Sequence, residues 1–213
     1  PPPTPPPPPP PPPPLPYTTL FRSLYRPELG VAQDGVQRLT DFEIASALSY
    51  TLWNAPPDQE LYDLAAAGQL SDPDVLRAQA QRMAQDPRIA GSFTEFFVDY
   101  LKIDALFSKN KLDSLGLTPA ARASLVAGIR SDLHTMFSTP GASLLDPFLG
   151  ESFNVDGESA TFFGVSVAQG GEFEVVGMDP AERLGVLSHP AFLSTHAGEG
   201  DSGIVKRGVF TLE

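Results

Sequence analysis

The chain has 213 residues, and its 26 acidic residues outnumber its 14 basic ones, which gives a formal net charge of −12. Such a surface repels phosphate backbones and anionic lipid, so the charge argues against nucleic-acid binding. The sequence contains no cysteine, which excludes disulfides, thiol catalysis, cysteine-ligated metal and covalently attached haem within this stretch. No apolar run approaches the roughly 20 residues that a membrane-spanning helix needs.

The first 23 residues differ in composition from the rest of the chain. Pro1 to Pro14 form a proline tract broken only by Thr4, which favours a polyproline II rod that serves as a partner ligand or as a stiff spacer. The octapeptide that follows, PYTTLFRS, resembles one reading frame of a common short-read sequencing adapter, and uninterrupted C in DNA translates as proline. We therefore expect residues 1–23 to be a disordered assembly artefact, with native sequence beginning near Leu24.

Between residues 39 and 149 the sequence predicts amphipathic helices with marked starts and short connecting loops. Thr40 and Glu43 have the spacing of a capping box. A second helix is predicted to begin around Pro57 and to end at Gly68. Three further starts pair an N-cap side chain with proline at the first helical position: Asp72-Pro73, Asp86-Pro87 and Thr118-Pro119. Helices of this kind predict an orthogonal bundle.

Two of the predicted helices carry apolar stripes, which we interpret as core positions rather than as a cofactor-binding surface. The stripe of the helix after Pro87 comprises Ile89, Phe93, Phe96, Phe97 and Tyr100. The stripe of the helix after Pro119 comprises Leu125, Ile129, Leu133 and Phe137.

After Gly150 the pattern changes to short elements separated by turns. The sequence predicts strands near residues 153–155 and 173–176, a helical turn at 159–163, short helical segments within 181–192, an exposed loop at 198–201 and a helix beginning at Val205. The predicted fold class is therefore mainly α, an orthogonal helical bundle with a small irregular α+β C-terminal part.

Residue types that could carry chemistry are present, but each has a simpler structural explanation. His196, Asp201 and Ser202 are the residue types of a nucleophilic triad, yet no G-x-S-x-G elbow accompanies them and so short a loop cannot orient three side chains. His189 lies in an apolar stretch, where we expect a hydrogen-bonded structural histidine rather than a ligand. His134 is expected at the surface or its boundary.

The remaining charged candidates are equally well explained by local structure. Helix starts account for the paired carboxylates: Asp41, Glu43, Asp58 and Glu60. The basic pair Lys206-Arg207 is expected to pair with carboxylates or to lie on a solvated helix face rather than to form a dedicated anion site. The sequence thus supports no catalytic, cofactor-binding or metal-binding residue in this stretch.

One long motif resembles a known family. Residues 39–70 read LTDFEIASALSYTLWNAPPDQELYDLAAAGQL, which is similar to a domain family of unknown function found in large planctomycete- and myxobacterial-type secreted proteins with c-type cytochrome modules. Its pattern, A-S-x-L-S-Y-x-L-W and then P-D-x-E-L, matches residues 45–53 and 57–61. Ala47 stands where that family often has arginine. Downstream, GVLSHPAFL at residues 185–193, with RGVF at 207–210, resembles the opening of the companion domain that usually follows.

The resemblance carries expectations about organisation and setting. It implies a helical domain at residues 24–150, with residues 151–213 forming the end of that domain and the truncated start of the companion domain. It implies a periplasmic or secreted location, c-type cytochrome modules of the same chain as partners, and haem c in the parent protein but no cofactor in this fragment. The expected function is a non-catalytic structural or interaction module. The alternative is an extracytoplasmic hydrolase-like enzyme that uses carboxylates or histidines.

Overall fold

The computed structural model describes residues 30–33, 36–168, 170–205 and 208. Within these residues the fold is mainly α with two small antiparallel sheets, which confirms the predicted class. In chain order the strands and α-helices are β1 (Val31–Gln33), β2 (Val36–Arg38), α1 (Asp41–Trp53), α2 (Gln59–Ala66), α3 (Pro73–Ala84), α4 (Arg88–Tyr100), α5 (Pro119–Ser138), α6 (Asp146–Leu149), β3 (Ser152–Val155), α7 (Ala160–Phe163), β4 (Glu174–Gly177) and α8 (Pro190–His196). Short 3₁₀ turns occupy Ile103–Ser108, Asp113–Leu115 and Val186–Ser188.

The predicted capping box at the start of α1 is present. The Thr40 hydroxyl accepts a hydrogen bond from the Glu43 amide, and a Glu43 carboxylate oxygen accepts one from the Thr40 amide at 2.7 Å. The second helix begins slightly later than predicted, because Asp58 is the N-cap itself and accepts from the Leu61 amide at 3.0 Å. These contacts satisfy amide groups that have no partner within the helix.

Two of the three predicted proline-marked starts form as predicted, and the third is shifted by one residue. Asp72 and Thr118 are the N-caps of α3 and α5, and each side chain accepts from an amide in the first helical turn. The ordered helix α4 begins at Arg88, one residue after Pro87, and Asp86 still accepts from the Arg88 amide at 2.9 Å. A proline at the first helical position costs nothing there because its missing amide hydrogen would have no partner.

Buried side chains form two clusters. The smaller one joins α1, α2 and α3 and contains Trp53, Leu61, Leu70 and Met83 at its centre. The larger one joins α4 to α8, and the predicted stripe of α5 lies within it, with all four residues buried. The elements after residue 150 therefore belong to the same core as the long helix α5.

The predicted stripe of α4 is only partly correct. Phe97 is buried, but Phe96 is 57 % exposed and Tyr100 is 49 % exposed. The side of α4 that faces the core carries Ala90, Thr94 and Val98 together with Phe97. Residues four apart share one face of a helix, so Phe96 and Tyr100 form a separate pair on the outer surface.

The C-terminal part contains the predicted short strands. β3 and β4 pair antiparallel, with Phe153 opposite Val176 and Val155 opposite Glu174. The loop at residues 198–201 has an exposed tip, as expected. Residues 1–23, Lys206-Arg207 and most of the helix predicted from Val205 lie outside the described residues. In the part of the chain that the structure describes, no helix has the length and apolar character required to cross a bilayer.

Candidate functional site

A carboxylate lies inside the larger hydrophobic cluster. Asp132 is only 4 % exposed and follows Ile129 by three residues and Leu125 by seven, which places it on the buried face of α5. The backbone amide and the side-chain amide of Asn154, in β3, both donate to Asp132 Oδ1 at 2.7 Å. This pair of hydrogen bonds fastens strand β3 to helix α5.

An imidazole from the C-terminal part of the chain meets that carboxylate. His189 is fully buried and is the N-cap of α8, where its Nδ1 accepts from the Ala191 amide at 3.0 Å. Its ring packs against Phe153 and Phe163, with centroid separations of 5.7 and 5.1 Å. Because Nδ1 is the acceptor, the proton of the neutral ring is assigned to Nε2.

Asp132 and His189 face each other without a hydrogen bond. Their Oδ2 and Nε2 atoms are 3.7 Å apart, which is beyond hydrogen-bond distance, and neither atom bonds any other described residue. Burial raises the pKa of Asp132 to about 7, although the hydrogen bonds from Asn154 act in the opposite direction. Burial, together with the positive charge of Arg183, lowers the pKa of His189 to about 3. Between about pH 3 and pH 7 the contact therefore joins two neutral groups rather than an ion pair.

A glycine on α5 makes this close packing feasible. A Cβ atom at Gly128 would lie 2.9 Å from the Asn154 carbonyl oxygen and 3.9 Å from His189 Nε2. Any larger residue would push β3 away from the helix. Asp132 and His189 are both buried, and their contacts join α5, β3 and α8.

A second buried carboxylate fastens the next part of the chain. Asp156 accepts hydrogen bonds from the hydroxyl groups of Ser124, in α5, and Ser159, which precedes α7. Burial raises the pKa of Asp156, but these hydrogen bonds outweigh burial and lower it below its usual value. An ionised carboxylate with several donors is stable in the interior, so Asp156 also has a structural role.

The structure does not bring the two candidate histidines together. His189 begins α8 and His196 ends it, which separates them by about 10 Å along the helix axis. His196 Nε2 lies 2.9 Å from the Leu101 carbonyl oxygen, and its ring packs on Phe192 with centroids 4.4 Å apart. Each histidine thus has its own separate set of contacts.

The other candidates from the sequence also have structural roles. Asp201 Oδ1 accepts from the backbone amides of Gly198 and Gly203, which shapes its own loop. His134 is exposed, as expected, and its Nδ1 lies 3.3 Å from the Ser138 hydroxyl. These contacts explain the residue types without a triad.

The helix-start carboxylates make long-range contacts in addition to their capping roles. Asp58 receives two hydrogen bonds from the Arg82 guanidinium, at 2.8 and 3.2 Å. Burial raises the pKa of Asp58, but its hydrogen bonds from Arg82 and Leu61 lower it overall. Asp41 accepts from the Leu70 amide at 3.1 Å. Asp41 and Asp58 therefore bind α1, α2 and α3 together.

Two surface clefts lie away from the buried pair. One, of about 750 Å³, is lined by Leu52, Phe93 and Phe137 together with the loop after α5. The other, of about 560 Å³, runs between α1 and α3, and Ala47 lines it. No cluster of three or more metal-ligating side chains occurs among the described residues.

Sequence reasoning missed Asp132, although a signal was available. A carboxylate in register with Leu125 and Ile129 on an apolar stripe predicts a buried acid, and a buried acid needs a partner. The partner histidine follows 57 residues later in the chain, so sequence spacing alone does not indicate the contact.

The fold is that of a helical domain whose polar core groups are structural. A family model described as "Protein of unknown function (DUF1592)" matches residues 39–165, which is more than half of the chain. The chain belongs to this family. No curated protein and no solved structure matches it.

Proposed function

We propose that this chain is a non-catalytic structural or interaction module of a larger extracytoplasmic protein that also carries c-type cytochrome modules. The observation that carries the proposal is the position of His189. This strongly perturbed ionisable group is enclosed in the core, and its Nδ1 caps a helix. A group used in this way holds the fold together.

The segment that resembles a companion domain supports the same role. Its residues Val186, Ala191 and Phe192 are buried in the cluster that also contains α5. The Gly185 amide donates to the Gly150 carbonyl oxygen at 2.8 Å. The segment that resembles the companion domain thus packs into the same hydrophobic core as α5, which supports a rigid element inside a longer protein.

Surface charge supports association with a protein of opposite sign. The net charge of −12 favours encounter with basic proteins and disfavours polyanions. The predicted cytochrome partners and the extracytoplasmic location rest on the family resemblance.

The decisive experiment is recovery of the uninterrupted parent gene. We expect its open reading frame to encode a secretion signal and at least one C-x-x-C-H haem-attachment motif on either side of this stretch. A complete gene that lacks both would contradict the proposal. Hydrolysis of p-nitrophenyl esters or glycosides by the purified chain, lost in a His196→Ala variant, would instead favour the enzyme alternative.

A further inference from the structure

Helix α4 presents two aromatic rings to solvent. Phe96 and Tyr100 are stacked, with centroids 6.0 Å apart and an interplanar angle of 6°. They are 57 % and 49 % exposed, although an aromatic ring gains several times the thermal energy when it is buried. A stacked pair on a regular helix is also rigid, so little conformational entropy would be lost on binding a partner.

Ring contacts through a buried side chain link these two residues of α4 to α6. The buried ring of Phe97 contacts Phe96 at 5.5 Å and Phe148 at 5.9 Å, measured between centroids. Phe148 is half-buried, and the next residue, Leu149, is 59 % exposed. We call Phe96, Tyr100, Phe148 and Leu149 the aromatic surface. Grouped exposed apolar residues of this kind typically mark an interaction site, and aromatic residues are enriched at such sites.

Carboxylates neighbour the aromatic surface along the chain. Glu95 and Asp99 precede its two α4 rings, and Asp146 and Glu151 flank its α6 part. Arg130 pairs with Glu95 and with Asp104, so it offsets part of this charge. Asp99, Asp146 and Glu151, opposed by Lys102, leave these two segments with an excess of negative charge.

We propose that the aromatic surface binds a protein whose contact face has an apolar centre surrounded by lysine and arginine side chains. The inference rests on the proposed role as an interaction module and specifies the chemistry of the partner. Charge complementarity selects this occupant, because the negative charge of these segments and of the whole chain steers basic proteins and repels acidic ones. A second copy would place the same acidic segments against each other, and nucleic acid or anionic lipid would meet like charge.

The test uses the full chain and a labelled helical peptide of leucine and lysine as the probe, with binding followed by fluorescence anisotropy. The double variant Phe96→Ser/Tyr100→Ser should weaken binding by about tenfold or more, since aromatic anchors dominate such interfaces. Tyr62→Ser, which removes an exposed ring from α2 (42 % exposed), is the matched control and should leave binding unchanged. Raising NaCl from about 50 to about 300 mM should weaken binding to the unmodified chain.

Several results would overturn the proposal. They are no binding by the unmodified chain, equal binding by the Phe96→Ser/Tyr100→Ser variant, or equal binding of a leucine–glutamate peptide. Because both rings are exposed, the double variant should fold, and a circular dichroism melt close to that of Tyr62→Ser would verify this. If the variant melts much earlier, Tyr100→Ser alone replaces it with the same expectation.

Two further measurements examine other occupants. Sedimentation velocity that shows a dimer abolished by Phe96→Ser/Tyr100→Ser would assign the aromatic surface to a second copy. Hydroxyl-radical footprinting that shows Phe96 and Tyr100 protected in the isolated chain would assign it to a segment of the chain itself. Either result contradicts the proposal. If the parent gene encodes haem motifs but the peptide does not bind, the proposed function is supported. Only the proposed role of the aromatic surface is then rejected.

Discussion

At the scale of single residues, His189 combines two roles that both require a neutral ring. Its Nδ1 lone pair accepts from the Ala191 amide, and its ring fills the space between Phe153 and Phe163. A proton on Nδ1 would turn the acceptor into a donor and break the cap. Besides burial and the charge of Arg183, the hydrogen bond from the Ala191 amide favours the neutral ring and so favours a low pKa of His189.

Two substitutions of His189 separate the stability contributed by its hydrogen bond to α8 from the stability contributed by the packing of its ring. His189→Ala removes both and should lower the free energy of unfolding by about 3 kcal/mol, as expected for loss of a buried ring. His189→Asn removes the ring but retains an acceptor for the Ala191 amide, so it should be about 1 kcal/mol more stable than the alanine variant. Urea unfolding at pH 6 measures the difference, and equal midpoints would show that the cap contributes nothing.

Residue roles were predictable where the cause is local. Placing His189 as a buried, hydrogen-bonded residue needed only its apolar surroundings, and the structure shows both the burial and the hydrogen bond. Its contact with Asp132 depends on how α8 returns to α5, which no local pattern encodes. Asp132 could have been recognised as buried from its register, but its neighbour could not.

At the scale of an element, α5 contains a glycine at a point of close approach. Gly128→Ala would place a methyl group 2.9 Å from the Asn154 carbonyl oxygen. The resulting strain of about 1–3 kcal/mol equals or exceeds the gain of about 1 kcal/mol in helix propensity. We expect a net loss of up to about 2 kcal/mol in the free energy of unfolding.

The matched control is Gly91→Ala in α4. A Cβ atom there meets nothing within 4 Å, so only the helix propensity changes and the variant should gain about 0.5–1 kcal/mol. Thermal melts of both variants test the pair of predictions. A stabilised Gly128→Ala variant would mean that β3 moves away from α5 without cost.

The residue at which a helix begins was easier to predict than the side of the helix that is buried. An N-cap side chain and a proline act within one turn, so Thr40, Asp72 and Thr118 indicate their helices directly. The face that a helix buries depends on its neighbours. Large aromatic residues on two adjacent stripes of α4 left its core side ambiguous, and the structure buries the stripe of Ala90, Thr94 and Phe97 instead of the one containing Phe96.

At the scale of the whole molecule, the buried pair shapes how stability depends on pH. The pKa of Asp132 is raised from 3.8 to about 7, so its contribution to stability is present in acid and is lost as pH rises towards 7. The pKa of His189 is lowered from 6.5 to about 3, so its contribution is lost as pH falls below 6.5. Between about pH 4 and 6.5 the folded and unfolded states bind the same number of protons at this pair, and the two slopes cancel.

Replacing either member of the pair should reveal a dependence of the free energy of unfolding on pH, with opposite sign in the two variants. In the Asp132→Asn variant His189 is the only group of this pair that titrates. The contribution of the pair to the free energy of unfolding should therefore fall by about 1.4 kcal/mol per pH unit as pH decreases from 6 to 4. In His189→Asn only Asp132 titrates, so the same quantity should fall as pH increases through that range. Urea unfolding at several pH values measures both slopes. If the free energy of unfolding depended on pH in the same way in both variants, the two opposite contributions would be refuted.

The overall class followed from the helical patterns, but the small sheets were harder to predict. Strands β3 and β4 were anticipated from short apolar runs, whereas β1 and β2 were not, because three-residue strands carry little pattern. The dipeptide Asp34-Gly35 between them is a hairpin signal in the sequence. The division into two hydrophobic clusters depends on tertiary packing and has no counterpart in local sequence.

The position of α8 bears on where this family's domain ends physically. Residues 39–165 define the match, yet Phe192 and Val186 lie beyond it and are buried against α5. A polypeptide cut at residue 165 would lack His189, whose ring packs on Phe153 and faces Asp132. It would also lack Phe192, which shares the larger hydrophobic cluster with α5, so we expect a stably folding unit to extend to His196, the last residue of α8.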